Sequence, residues 1–173
     1  SGPRVGAAGR GNVKRSREDV ERLIAELEWD REQLDGLVAT NQRGAERIAA
    51  GATAELDYAA LGYSMHNLYG VMENACFRIA KFFENGLSSQ SWHRELLERM
   101  LLEIPDLRPA FLNRQEYLLL DQLRGFRHVF RNLYSRPIDP DRLALLQGRV
   151  PAMTAAFRAA VGRYLLFLQE LKG

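Results

Sequence analysis

Residues 123–134, "LRGFRHVFRNLY", place Arg124, Arg127, His128 and Arg131 within eight positions and close on Asn132 and Tyr134. Guanidinium groups offer planar forks of donors that match phosphate oxygens, and imidazole exchanges a proton near neutral pH. At about 100° per residue, Leu119, Leu123, Phe126, Phe130 and Leu133 gather on one side of a helix. Arg127 and Tyr134 fall on the edge of that apolar side, and Arg124, His128 and Arg131 form the next stripe out. Three arginines, a histidine and a phenol beside a buried face suit the binding of a phosphate-bearing substrate. The competing account is structural: basic side chains gather at a helix C-terminus to meet the macrodipole, or border a core and pair with surface carboxylates.

A second group, His66, Tyr69 and Glu73, has the three- and four-residue spacing of one helix face. Together with Trp92-His93 it predicts a polar cluster beneath the basic strip, with Glu73 anchoring an arginine. A satisfied buried hydrogen-bond network explains the same pattern. His66, His93 and His128 match no metal-ligand spacing and Cys76 is the only cysteine, so neither a metal site nor a disulfide is expected. The glycines of "GPRVGAAGRG" follow no strand and lack a Gly-Lys-Ser/Thr ending, and no Ser nucleophile elbow is present, so no cofactor is expected.

These side chains need helices to hold them. Ser16 reads as an N-cap with Asp19 three residues on. Val20, Leu23, Ile24, Leu27, Leu34, Leu37 and Val38 then recur at helical spacing, with Gly44 and Gly51 weakening the end. A second helix is predicted from about Ala54 to Phe83, stopping at Asn85-Gly86, and a short third in "SSQSWHRELLERML". "EIPDLRPAF" is a proline-punctuated connector. The fourth helix is predicted over about Arg114–Tyr134. "SRPIDPDR" links it to a fifth, whose apolar residues from Leu143 to Leu171 step by threes and fours like a heptad stripe. The expected fold is an all-α up-and-down bundle of four main helices plus a short one.

The chain has 173 residues, enough for one domain with a sizeable core, and a net charge of +2. Residues 1–18 carry a net charge of +4 and the remainder −2, so any polyanion site in the body is local. Residues 1–15 read as a flexible basic tail, whose Ser1-Gly2 start has the look of a cloning remnant, and residues 16–173 as a single domain. The lone cysteine and the lack of a long apolar run or signal segment suggest a cytoplasmic protein that avoids membranes.

"LRGFRHVFRNLYSRPIDPDRL", with "MHNLYGVMENACFRIAKFFENG" and "SWHRELLERM" upstream, resembles the HepT-like branch of the HEPN superfamily over about Leu56 to Leu171. The resemblance lies in the order of the parts: a long helix with His66, Tyr69 and Glu73, the Trp92-His93 pair, "RPAF", then the Arg-rich helix. It implies a helical homodimer and a metal-independent ribonuclease site composed at the dimer interface. The family signature is Arg, a polar residue and a later His, extended in HepT toxins to Arg-x4-His-x-Tyr. Here Arg127 takes the Arg position, His128 the polar position and Tyr134 the Tyr, while Asn132 stands where the family has His.

An amide is no general base near neutral pH. Three readings follow: a naturally weakened member, an engineered replacement, or His128 serving as base. Arg127 and Asn132 lie about 140° apart in a regular helix, so the signature requires either a helix ending near 132 or completion across a two-fold axis. The apolar stripe of the fifth helix favours the second.

By resemblance the chain is the toxin of a bacterial toxin–antitoxin pair, cleaving RNA by 2′-OH transesterification. Arg127 would then be the phosphate ligand, with Arg124, Arg131 and His128 as auxiliaries, and Asn132 would leave the activity weak or absent. The implied partners are RNA, a second copy, and a minimal nucleotidyltransferase antitoxin that uses ATP to place AMP on Tyr134. The alternatives are a non-catalytic HEPN scaffold that binds RNA or such a nucleotidyltransferase, and a plain assembly domain pairing through the fifth helix.

Overall fold

The computed structural model describes residues 15–84, 92–132 and 136–173, without the side chains of residues 92–94. Residues 1–14 of the expected tail, Asn85-Gly86, Tyr134 and the side chains of Trp92-His93 therefore lie outside the described residues, while Arg15, the last residue of that tail, donates to the carbonyls of Phe82 and Phe83 at 2.8 Å each. Six helices are described: α1 (Arg17–Ala49), α2 (Glu55–Glu84), α3 (Trp92–Met100), α4 (Arg114–Arg131), α5 (Pro140–Gln147) and α6 (Val150–Lys172).

The long helices start and stop where local chemistry directs. Ser16 Oγ accepts from the Asp19 N–H at 3.1 Å and donates to the Asp19 carboxylate at 2.7 Å. The cap expected from sequence is thus present, with the carboxylate meeting the hydroxyl. Gly44 does not break α1; a Cβ there would sit 3.4 Å from Leu61 Cδ1, so the glycine lets α2 approach. The turn after α1 is made by Gly51 at φ +101°, a backbone region that favours glycine. α4 opens on a full capping box between Asn113 and Glu116.

α1 lies along α2 and α6, and α4 lies along the same two helices from the other side. These four close a bundle, with α3 bridging α2 and α4, and α5 resting on α2. The core runs through all of them. Leu27, Leu34, Met65, Leu68, Met72, Ile79, Leu96, Leu120, Met153, Phe157 and Leu168 are fully buried, and Phe111 meets Tyr164 edge-on with ring centroids 5.4 Å apart.

One expectation needs correction. The predicted fifth helix is two helices, broken at Gly148-Arg149. Pro151 stands in the first turn of α6, where its missing N–H is tolerated; inside a continuous helix it would lose a hydrogen bond and its ring would press on the preceding turn, which favours the break. The apolar stripe survives the break, but it is spent inside the chain. Val150, Met153, Phe157, Val161, Tyr164, Leu165 and Leu168 are buried by α1 and α4 of the same molecule.

The connector before α4 is held by a buried arginine. Arg108 Nε donates to Glu84 Oε1 at 2.7 Å, and its other nitrogens reach the carbonyls of Arg99, Leu102 and Pro109. It thereby closes the C-terminal end of α3 and ties it to the end of α2.

Candidate functional site

α4 ends at Arg131, three residues earlier than the sequence suggests, and Asn132 is its C-cap. The Asn132 amide turns back on its own helix: Nδ2 donates to the His128 carbonyl at 2.8 Å and lies 3.4 Å from His128 Nε2. This early ending divides the candidate residues between two faces of one helix end.

The first face looks toward α2. His66 is half-buried and stacks on Phe130, ring centroids 4.8 Å apart and planes 22° apart. Its Nδ1 is buried with no hydrogen-bond partner among the described residues. Burial holds the His66 pKa below its ordinary value; the nearby guanidinium charges of Arg127 and Arg131 add to the effect and Glu73 opposes it. His66 is therefore neutral at pH 7. Neither Arg127 nor Arg131 has a hydrogen bond or ion pair among the described residues, whereas Arg124 Nε donates to Asp121 at 2.6 Å. The Asp121 bond is the chief reason that the Arg124 pKa rises.

Beneath this face Tyr69 and Glu73 are buried. Burial first, then the charge of Glu73, pushes the Tyr69 hydroxyl and the Cys76 thiol up. Neither ionises near neutral pH, so Tyr69 is a neutral hydroxyl and Cys76 an inert core thiol. Tyr69 and Glu73 lie on the same helix as His66, but the Tyr69 hydroxyl, like His66 Nδ1, has no hydrogen-bond partner among the described residues. Two guanidinium groups, unpaired among the described residues, beside a neutral imidazole form an arrangement that can hold a phosphate oxygen and accept a proton.

The second face is a groove of about 450 Å³ lined by Phe126, His128, Val129 and Asn132 of α4, residues 136–139 of the connector, and Arg142 and Leu143 of α5. Sequence reasoning treated "SRPIDPDR" as a link only and missed Arg136 and Arg142. Their signal was the pair of arginines flanking the two prolines. Gly62 sets how closely the connector approaches α2, since a Cβ on it would come within 2.9 Å of Ile138 Cδ1. Among the described residues, no three His, Cys, Asp or Glu side chains are placed to hold a metal ion, and no helix is long and apolar enough to cross a membrane.

The all-α bundle is consistent with a HEPN-type domain. The sequence model of the HepT-like protein family matches residues 60–168, from the second turn of α2 through most of α6, and the chain belongs to that family. No curated protein and no solved structure matches it.

Proposed function

We propose that this chain is a toxin-type HepT-like protein, a dimeric endoribonuclease scaffold whose chemistry is weakened by the amide at 132. The observation that carries the reading is Arg127 and Arg131 standing unpaired among the described residues beside neutral His66. A cation left without a carboxylate at the border of a core is available to an external anion, and in a ribonuclease that anion is the phosphate that gains charge as the 2′-oxygen attacks. Arg127 takes the phosphate, Arg131 and Arg124 extend the cationic strip, and His128 with Asn132 stands on the neighbouring face of the same helix end. In an active member the 2′-OH proton would pass to a histidine at 132, and Asn132 cannot receive it.

The test is RNA cleavage by the chain as it stands, by Asn132→His and by Arg127→Ala placed on Asn132→His. The expected order is weak or no cleavage, a gain of at least about a hundredfold (the size of a general-base contribution), and loss of that gain. No gain from Asn132→His, with Arg127→Ala also silent, would remove the ribonuclease reading.

A second reading has its own support. Asn132 is engaged with its own helix at His128, which is the behaviour of a structural cap. A scaffold that binds RNA or a nucleotidyltransferase without chemistry would keep RNA affinity in Asn132→His and show no cleavage. On either reading, transfer of AMP to Tyr134 by a partner nucleotidyltransferase would add a bulky anion near the arginines and block phosphate entry. Intact mass after incubation with such an enzyme and ATP would report it.

A further inference from the structure

The groove on the second face of α4 has a composition that phosphate binding at Arg127 does not explain. Its floor is apolar, made by Phe126, Val129, Ile138 and Leu143, and its rim carries His128, Arg136 and Arg142 with the Asn132 amide at one end. Arg136 and Arg142 are exposed and have no hydrogen bond or ion pair among the described residues. One carboxylate, Asp139, stands in the lining as the N-cap of α5, accepting from the Asp141 N–H at 3.0 Å. With two arginines against that single carboxylate, the lining is net cationic.

An apolar slot with two guanidinium groups at its mouth, unpaired among the described residues, matches one nucleotide: a base against the floor and a phosphate across the arginines. The size agrees, since small-ligand sites hold roughly 300–1,000 Å³ and this one about 450 Å³. Its position agrees too, because His128 and Asn132 belong both to the groove and to the signature segment. A strand entering the groove is led directly to that segment.

We infer that the groove between α4, the 136–139 connector and α5 is a nucleotide subsite for single-stranded RNA, seating a residue beside the scissile linkage, with Arg136 and Arg142 on its phosphate. This rests on the ribonuclease reading above and deepens it. It assigns strand placement to a face that the Arg127 strip does not reach.

The experiment is equilibrium binding of a short, labelled, mixed-sequence single-stranded RNA by fluorescence anisotropy across a salt series. The chain with Asn132 is used, so that cleavage does not intrude. Arg136→Ala/Arg142→Ala should weaken binding at low salt by at least about tenfold, the scale of a charge-assisted hydrogen bond. The salt dependence should become shallower by about 0.7 for each phosphate that the variant leaves unneutralised. Val129→Phe, which narrows the slot without altering charge, should weaken binding with the salt slope unchanged; urea melts of both variants confirm folding.

Unchanged affinity and slope in both groove variants, with binding still weakened by Arg127→Ala, would overturn the subsite and leave the Arg127 reading intact. No RNA binding by the unaltered chain or by Asn132→His would end both. Unchanged RNA binding together with loss of affinity for a labelled Glu-rich peptide in the double variant would make the groove a protein-docking surface and also overturn the proposal.

Discussion

Arg124, Arg127 and Arg131 share one helix and one charge but not one circumstance. Arg124 is held by Asp121 at 2.6 Å, whereas Arg127 and Arg131 meet no carboxylate among the described residues and lower the pKa of His66 instead. The strip was legible in the sequence because helical spacing alone sets it. The division of roles was not, because it depends on α2 bringing His66 against Phe130 and on α4 stopping at Arg131. Only the Asp121–Arg124 pair was readable from local spacing. The placement of His66 has a pH consequence. Its folded pKa is depressed while the unfolded chain titrates near about 6.5, so the folded state prefers the neutral ring. That contribution is fully present above about pH 6.5 and is lost as pH falls through the lower folded value. The urea midpoint of the unaltered chain should therefore fall between about pH 7 and about pH 5 more steeply than that of His66→Phe, which keeps the stack on Phe130. Equal slopes would mean that the imidazole is not the group resisting protonation.

At the scale of elements, the positions of four helices followed from apolar periodicity, and two features did not. The break between α5 and α6 is favoured by Pro151, which sits inside a stripe regular enough to mask it; the missing N–H weighs against the periodicity. The second is Arg108, whose place in "RPAF" reads as a surface charge in a loop. Its side chain is fully buried, because α3 is short and its last carbonyls need a donor that α2 cannot supply. Replacing it therefore does more than remove an ion pair. Arg108→Met should cost about 3–5 kcal/mol in denaturant unfolding, since it leaves Glu84 with only the more distant Arg99, 3.6 Å away, and strands three carbonyls. Adding Glu84→Gln should recover part of that loss, because the buried charge is then gone. The reciprocal amide pair of Asn41 and Gln147, at 2.9 and 2.6 Å, does for α1 and α5 what Arg108 does for α2 and α3. Asn41→Leu should cost about 1–3 kcal/mol by the same reasoning. A loss under about 0.5 kcal/mol in either variant would show that the connections are held by apolar packing alone.

At the scale of the whole molecule, the question is what completes the site. Within one copy Arg127 faces α2, while Asn132 faces the groove, so the two signature positions do not converge on one point. Pairing through the apolar stripe of the last helix is no longer open, since that stripe lies in the molecule's own core. α2 offers another seam. Tyr63 is 57% exposed, and Gly70 stands seven residues on, on the same face of α2. Gly70 meets nothing within 4 Å where a Cβ would be; the fold of the single chain gives no reason for glycine there. A glycine on an exposed helix face beside an aromatic side chain has a reason if another helix crosses closely over it, and Tyr63 lies 6.1 Å from Phe130, the ring on which His66 stacks. On the proposed dimer, a second copy laid along α2 would bring two basic strips together over one phosphate. The variant that decides is Gly70→Arg. In the isolated bundle it fits open space, and replacing a mid-helix glycine should leave stability unchanged or raise it by about 0.5–1 kcal/mol. In the dimer it places a long cation in the seam. The expected outcome is an unchanged or higher melting temperature, a mass in solution that drops from two chains to one, and cleavage lost on the Asn132→His background. A well-folded Gly70→Arg chain that keeps both its dimer mass and that cleavage would show that α2 does not form the pairing surface.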